Sequence, residues 1–100
     1  MKRAVVPGTF DPITAGHFDV ISRAAQIFDE VVVAVAKSAK KSPIFDLETR
    51  VGLVEEAVAD LSNVRVISFE GLLVDCVNKI DAHVVVKGLR AITDFEYEFQ

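Results

Sequence analysis

The stretch Glu30–Ala36, EVVVAVA, constrains the fold more than any other in this chain. Its six consecutive apolar residues show no polar alternation, so a strand built from them must be covered on both faces. His83–Gly88, HVVVKG, repeats the pattern. Strands of this kind belong to parallel sheets, whose crossover helices lie on both sides. Two further runs, RAVVP at Arg3–Pro7 and VRVISF at Val64–Phe69, also read as strands. The segments between them carry helical spacing. Phe18, Ile21, Ala25 and Phe28 are spaced 3, 4 and 3 apart, and Leu47, Val51, Val54, Val58 and Leu61 are spaced 4, 3, 4 and 3. Leu73, Val77 and Ile80 continue the theme. Each set gives one apolar stripe for docking on a sheet. Asp46 is placed to cap the second helix. Thr93 and Glu96 have capping-box spacing, with Ile92 and Tyr97 as a hydrophobic staple, which predicts a fourth helix from about Asp94. The order β-α-β-α-β-α-β-α predicts an α/β, doubly wound parallel sheet with right-handed crossovers.

At 100 residues the chain is expected to form a single domain. A hydrophobic content of 51% excludes a disordered chain. The net charge of -4 argues against duplex nucleic acid as a partner, because that binding rests on phosphate neutralisation. A small anionic ligand needs only a local cluster of cations. The single cysteine, Cys76, permits no disulfide within the chain and fits a reducing cytoplasm. It lies on the inward stripe of the third helix and is expected to be a small buried hydrophobe. No apolar run approaches the roughly 18 residues of a membrane span, and MKRAVVPG is too short for a signal peptide. A cytoplasmic protein without a membrane partner is expected. Gln100 falls about two turns into the fourth helix, with Phe95 and Phe99 on one stripe. Residues 1–100 are therefore expected to be the N-terminal portion of a longer protein, lacking the C-terminal part of the domain.

In open α/β sheets ligands bind beyond the carboxyl ends of the strands. The residues there are Gly8-Thr9-Phe10-Asp11 leading to Thr14-Ala15-Gly16-His17, then Lys37 to Lys41, Glu70-Gly71-Leu72-Leu73 and Lys87-Gly88-Leu89-Arg90. An acidic chain that gathers Lys37, Lys40, Lys41, Lys87 and Arg90 at this rim points to a phosphorylated ligand. Gly8 is expected to let a ligand approach the end of the first strand. Gly16 and His17 fall at the start of the first helix, where free N–H groups and the helix dipole favour an anion. His17 adds a side-chain donor and Thr9 a hydroxyl. Plainer roles suit other residues. His83 reads as structural, Gly52 as incidental, Gly71 as a turn, and Asp11 and Asp94 as N-terminal turn residues. Lys37 and Lys40 serve equally well as loop solubilisers. Neither the histidines nor the cysteine shows zinc-ligand spacing, and no metal ligand is assigned.

The segment PGTFDPITAGH contains Thr14-Ala15-Gly16-His17, which resembles the T/H-x-G-H signature of the nucleotidyltransferase superfamily. Together with SPIFDLETR (Ser42–Arg50) and KGLRAITDFEYEFQ (Lys87–Gln100), it resembles the bacterial phosphopantetheine adenylyltransferases along essentially the whole chain. The resemblance implies a Rossmann-like nucleotidyltransferase fold and transfer of AMP from ATP to 4′-phosphopantetheine, giving dephospho-CoA and pyrophosphate. It further implies direct in-line attack without a covalent intermediate, Mg²⁺ as cofactor and a homohexamer. Carried over by position, His17 would stabilise the transition state at the α-phosphate. Thr9 would hold the attacking phosphate and, with Phe10, touch ATP. Lys41 and Lys87 would bind phosphopantetheine, and Leu73 would contact its arm. Gly88, Leu89, Arg90 and Glu98 would line the ATP site, Glu98 on the resemblance alone. A serine-rich phosphate-gripping turn would follow beyond Gln100. Two other readings stay open: a transferase for another small phosphate such as nicotinamide mononucleotide, against which GLRAITDFEYE argues, and a non-catalytic nucleotide-binding module.

Overall fold

A computed structural model describes residues 1–37 and 43–87. Its elements run β1 (Arg3–Gly8), α1 (Ala15–Ile27), β2 (Glu30–Ala36), α2 (Leu47–Ala57), β3 (Val64–Phe69), α3 (Leu73–Lys79) and β4 (Val84–Val85). The expected fourth helix lies outside the described residues, as do Lys40, Lys41, Gly88, Leu89, Arg90, Asp94 and Glu98.

The four strands form one parallel sheet in the order β3-β2-β1-β4. Val33 of β2 stands between Val6 of β1 and Val66 of β3. Val31 to Val35 are all 0% exposed, so the valine run is enclosed as its pattern requires. Burying each such side chain contributes about 1.5–3 kcal/mol. The two faces bury different partners. Val31, Val33 and Val35 pack with Ile21 and Ala24 of α1, with Val54 of α2 and with Val58, which caps the end of α2. Val5 and Ala34 face the other way, onto Cys76, Val77 and Ile80 around α3. Helices on both faces, with strand order reversing about β1, make this the doubly wound Rossmann-like sheet the alternation predicted.

Three details depart from the sequence reading. Phe18, expected on the inward stripe of α1, is 37% exposed, and Ala24 is buried instead. The first turn of α1 stands at the rim of the sheet, and the small Ala24 lets the helix seat closely nearly two turns further on. β1 extends one residue further than expected, to Gly8, while β4 is shorter than the expected His83–Gly88. Val5 O accepts from Val86 N at 2.9 Å, so the odd-numbered residues of β1 turn their backbone groups toward β4. Pro7 is the next in that series and has no N–H to give, which stops the ladder.

At the opposite, N-terminal rim, the Arg3 guanidinium bonds Glu30 and donates to Ile80 O at 2.8 Å. Arg3 N donates to His83 Nδ1 at 3.1 Å, which gives His83 a structural role. Asn63 Nδ2 donates to Ala25 O at 2.8 Å, tying the end of α1 to the start of β3.

Candidate functional site

Connections from β1 leave through α1 to β2, while the chain returns from β3 through α3 to β4 on the other side of β1. The carboxyl ends of β1 and β4 therefore flank the switch point, where this architecture opens its ligand crevice. Thr9 and Phe10 at the exit of β1, the first turn of α1, and Lys87 after β4 share that end of the sheet. Leu73 opens α3 on the same rim, beyond β3, after a turn in which Gly71 takes φ +91°. That is a left-handed conformation suited to glycine.

Thr14 and His17 form a reciprocal cap on α1. His17 N donates to Thr14 Oγ1 at 3.3 Å, and Thr14 N donates back to His17 Nδ1 at 3.0 Å. The motif is the capping box with an imidazole in place of the usual carboxylate or amide. It has a chemical consequence. Nδ1 uses its lone pair to accept from the backbone, so the ring proton sits on Nε2. His17 is thereby fixed as an Nε2–H donor. The N–H groups of Ala15 and Gly16, at the same positive helix end, have no partner among the described residues.

Phe10 adopts φ 50°, unusual for a bulky residue, and its side chain folds back over β1. The ring is 3% exposed and meets the His17 ring edge-on, with centroids 5.0 Å apart. A Cβ on Gly8 would stand 2.9 Å from Phe10 Cε2. The close approach that glycine permits is thus made by a residue of the chain itself, which revises the expectation that a ligand fills that space.

Sequence reasoning missed Arg50 here and gave Asp11 only a turn role. Arg50 of α2 is 1% exposed and, among the described residues, its side chain donates to backbone alone: Nε to Phe45 O at 3.0 Å, Nη1 to Thr9 O at 3.0 Å and Ala36 O at 2.8 Å, and Nη2 to Lys37 O at 2.9 Å. The signal was present, since Arg50 sits three residues after Leu47 and four before Val54, on the inward stripe. Asp11 accepts from Ile44 N at 2.6 Å and Phe45 N at 2.8 Å, anchoring the approach to α2. Asp46 caps that helix as expected, accepting from Thr49 N at 2.8 Å. Hydrogen bonding from the Thr49 side chain and then from its backbone, with the nearby Arg50 charge, holds its carboxyl below the usual range.

The predicted cations fare differently. Lys37 Nζ lies 3.2 Å from Glu70 Oε2, both exposed, so this ammonium is engaged with a carboxylate. Lys87 is exposed beyond β4. Beside β3 opens a cavity of about 760 Å³ lined by Lys37, Phe69, Glu70, Asp75 and Cys76 among others. Cys76 is buried, and burial pushes its thiol up. Among the described residues no three His, Cys, Asp or Glu side chains gather as a metal site, and no helix is long and apolar enough to cross a membrane.

This geometry now meets its relatives. Residues 5–100 match the family model described as cytidylyltransferase-like, and the chain belongs to that family. It is 51% identical over 100 residues to a phosphopantetheine adenylyltransferase of Dictyoglomus thermophilum, a match covering all of this chain and 61% of the relative. It is 58% identical over 96 residues to the protein of the same name from Campylobacter hominis, covering 96% of this chain and 60% of that one. The chain thus spans about three-fifths of the length of these curated relatives. Among solved structures, a lipopolysaccharide core biosynthesis protein of Thermoplasma volcanium aligns with a TM-score of 0.71 at 29% identity, over 85% of this chain and 72% of that one.

Proposed function

We propose that this protein transfers the adenylyl group of ATP to 4′-phosphopantetheine, releasing pyrophosphate and forming dephospho-CoA. The observation that carries the reading is the locked His17 donor at the switch point, in a chain 51–58% identical along its length to relatives named for this activity. An oxygen of the substrate phosphate attacks the α-phosphorus, and the bond to the bridging oxygen of pyrophosphate breaks. The departing oxygen keeps the electron pair. The new bond is a phosphoanhydride, and no enzyme nucleophile takes part. Catalysis then rests on positioning and on donors aimed at developing charge. In this reading His17 Nε2–H bonds a non-bridging α-phosphate oxygen, helped by the N–H groups of Ala15 and Gly16. Thr9 orients the attacking phosphate, Phe10 bounds the nucleotide, and Lys87 contributes charge from beyond β4. Leu73, which opens α3 beyond β3, suits the pantetheine arm. Lys41 for phosphopantetheine, and Gly88, Leu89, Arg90 and Glu98 for ATP, complete the proposed set from the resemblance.

Mg²⁺ belongs to this proposal as the counter-ion of the nucleotide. It keeps several waters and takes phosphate oxygens readily, so it needs few protein ligands. The described residues offer no three-ligand cage, and no step above passes through the ion. A homohexamer in the cytoplasm completes the reading and is tested by solution mass and by localisation of the tagged protein.

The deciding assay is pyrophosphate release by the full-length protein. Turnover should require both ATP and 4′-phosphopantetheine. Absence of turnover with both at saturation would overturn the reading, and ATP binding without turnover would favour a nucleotide-binding module. Preference for nicotinamide mononucleotide as acceptor would favour a different transferase.

A further inference from the structure

Arg50 is the one fully buried charged side chain among the described residues, and the roles proposed above do not use it. Its placement is unusual in two respects. Its guanidinium spends four of five N–H donors on main-chain carbonyls, and no described carboxylate bonds it. The four carbonyls come from three separate segments: the exit of β1 (Thr9), the exit of β2 (Ala36 and Lys37), and the approach to α2 (Phe45). A planar fork is suited to this, since its donors diverge in fixed directions. Arg50 therefore sets the relative position of the loops that form the switch-point rim.

One of these bonds leads to His17. Thr9 O, held at 3.0 Å, belongs to the peptide unit that enters Phe10. Phe10 has the left-handed φ of 50°, a conformation that persists in a bulky residue only when its surroundings over-determine it. The Phe10 ring in turn meets the His17 ring at 5.0 Å. A continuous path of packed and bonded groups thus runs from the α2 interior to the proposed donor.

We infer that Arg50 is a positioning residue for His17, acting through Thr9 O and the Phe10 ring. The inference rests on the adenylyl-transfer reading for its kinetic consequence. Its structural part does not depend on which reaction is catalysed. Arg50 touches neither proposed substrate, so its loss should lower kcat and leave binding largely intact.

The test uses the full-length protein with Arg50→Lys and Arg50→Met. Lysine keeps the charge but donates from a single point, and methionine keeps the stem without donors. Both variants should lower kcat by about 10- to 100-fold per folded molecule, the scale of loss expected from small misplacements of a catalytic group. KM for each substrate should stay within about threefold, as expected when transition-state rather than uniform binding is lost. The Phe10–His17 ring contact, followed by aromatic NMR, should shift in both. Wild-type kcat and an unshifted ring contact in folded Arg50→Lys would overturn the inference. So would a loss confined to melting temperature with kcat unchanged. The native protein supplies a readout that needs no variant: Arg50 Nη protons should be separately resolved and slow to exchange. A single averaged, fast-exchanging signal would overturn the inference even where the variants fail to fold. Should the wild type lack adenylyl transfer, that reading falls alone, because the NMR measurements still decide whether Arg50 fixes the ring pair.

Discussion

Replacing Gly8 by alanine adds one methyl group where Phe10 folds back over β1. The new Cβ would stand 2.9 Å from Cε2, 3.1 Å from Cζ and 3.4 Å from Cδ2 of that ring. Carbon atoms pack at about 3.5–4.0 Å, so the ring must withdraw by roughly 0.5–1 Å. It has little room, being 3% exposed and edge-on to His17. Overpacking of this kind costs about 1–3 kcal/mol. Gly8 does not occupy the left-handed region, so alanine fits its backbone and recovers about 0.4–1 kcal/mol by restricting the unfolded chain. The net expectation is a destabilisation of about 1–2 kcal/mol. The ring meets His17 edge-on, so its withdrawal disturbs that contact, and turnover should fall by about tenfold or more. Urea unfolding measures the first effect as a lower midpoint at unchanged m-value, and pyrophosphate release measures the second. The pair Gly8→Ala and Phe10→Leu supplies the control. Removing the ring should relieve the clash, so the double variant should be more stable than the two single losses sum to. Gly8→Ala with wild-type stability and kcat, or a double-mutant cycle without coupling, would refute the argument that Phe10 dictates glycine here.

Three further outcomes follow from the geometry. His17→Ala should reduce kcat by at least about 100-fold, the loss typical of a transition-state donor, and should also lower the unfolding midpoint, because the bond from Thr14 N to the ring is lost. Retained turnover would remove His17 from the chemistry. Thr14→Val deletes the acceptor of His17 N and should cost about 1 kcal/mol in urea unfolding, whereas Thr14→Ser should be close to neutral; equal stability of the two would contradict the cap. Glu30 is held below its ordinary carboxylate value of 4.5 by the hydrogen bond from Arg3, with the Arg3 and Arg65 charges assisting. Its contribution to stability is therefore complete above pH 4.5 and lost as pH falls through the lower folded value. Glu30→Gln should flatten the acid limb of the stability curve, and parallel curves for the two proteins would refute this.

The sheet was legible because enclosure on two faces leaves its mark within a single segment: the valines of Glu30–Ala36 had no polar positions to alternate with. Helix stripes and the Asp46 cap are equally local. Features set by another strand were not legible. The early end of β4 depends on Pro7, which lies beside it only after folding. Phe10 is a poor sequence match for a left-handed backbone, and nothing nearby announces it. It is held by Gly8, His17 and Arg50 together. Lys37 reads as a candidate phosphate ligand until Glu70, 33 residues away, is found beside it. Arg50 carried a signal, an arginine on an apolar stripe, but its meaning lay in carbonyls from three distant segments. For the candidate site, the T-x-G-H signature gave the histidine and the rim, while the reciprocal bonds that select its tautomer emerged only from the geometry.

The reciprocal bond between Thr14 and His17 makes one imidazole serve both architecture and chemistry. Its ring is oriented as soon as the first turn of α1 winds up, so no catalytic cycle has to wait for a rotamer search or a proton to change nitrogens. The same economy leaves the position without spare tolerance: any residue put there is judged twice, once by the helix that begins at Ala15 and once by the phosphorus it must face.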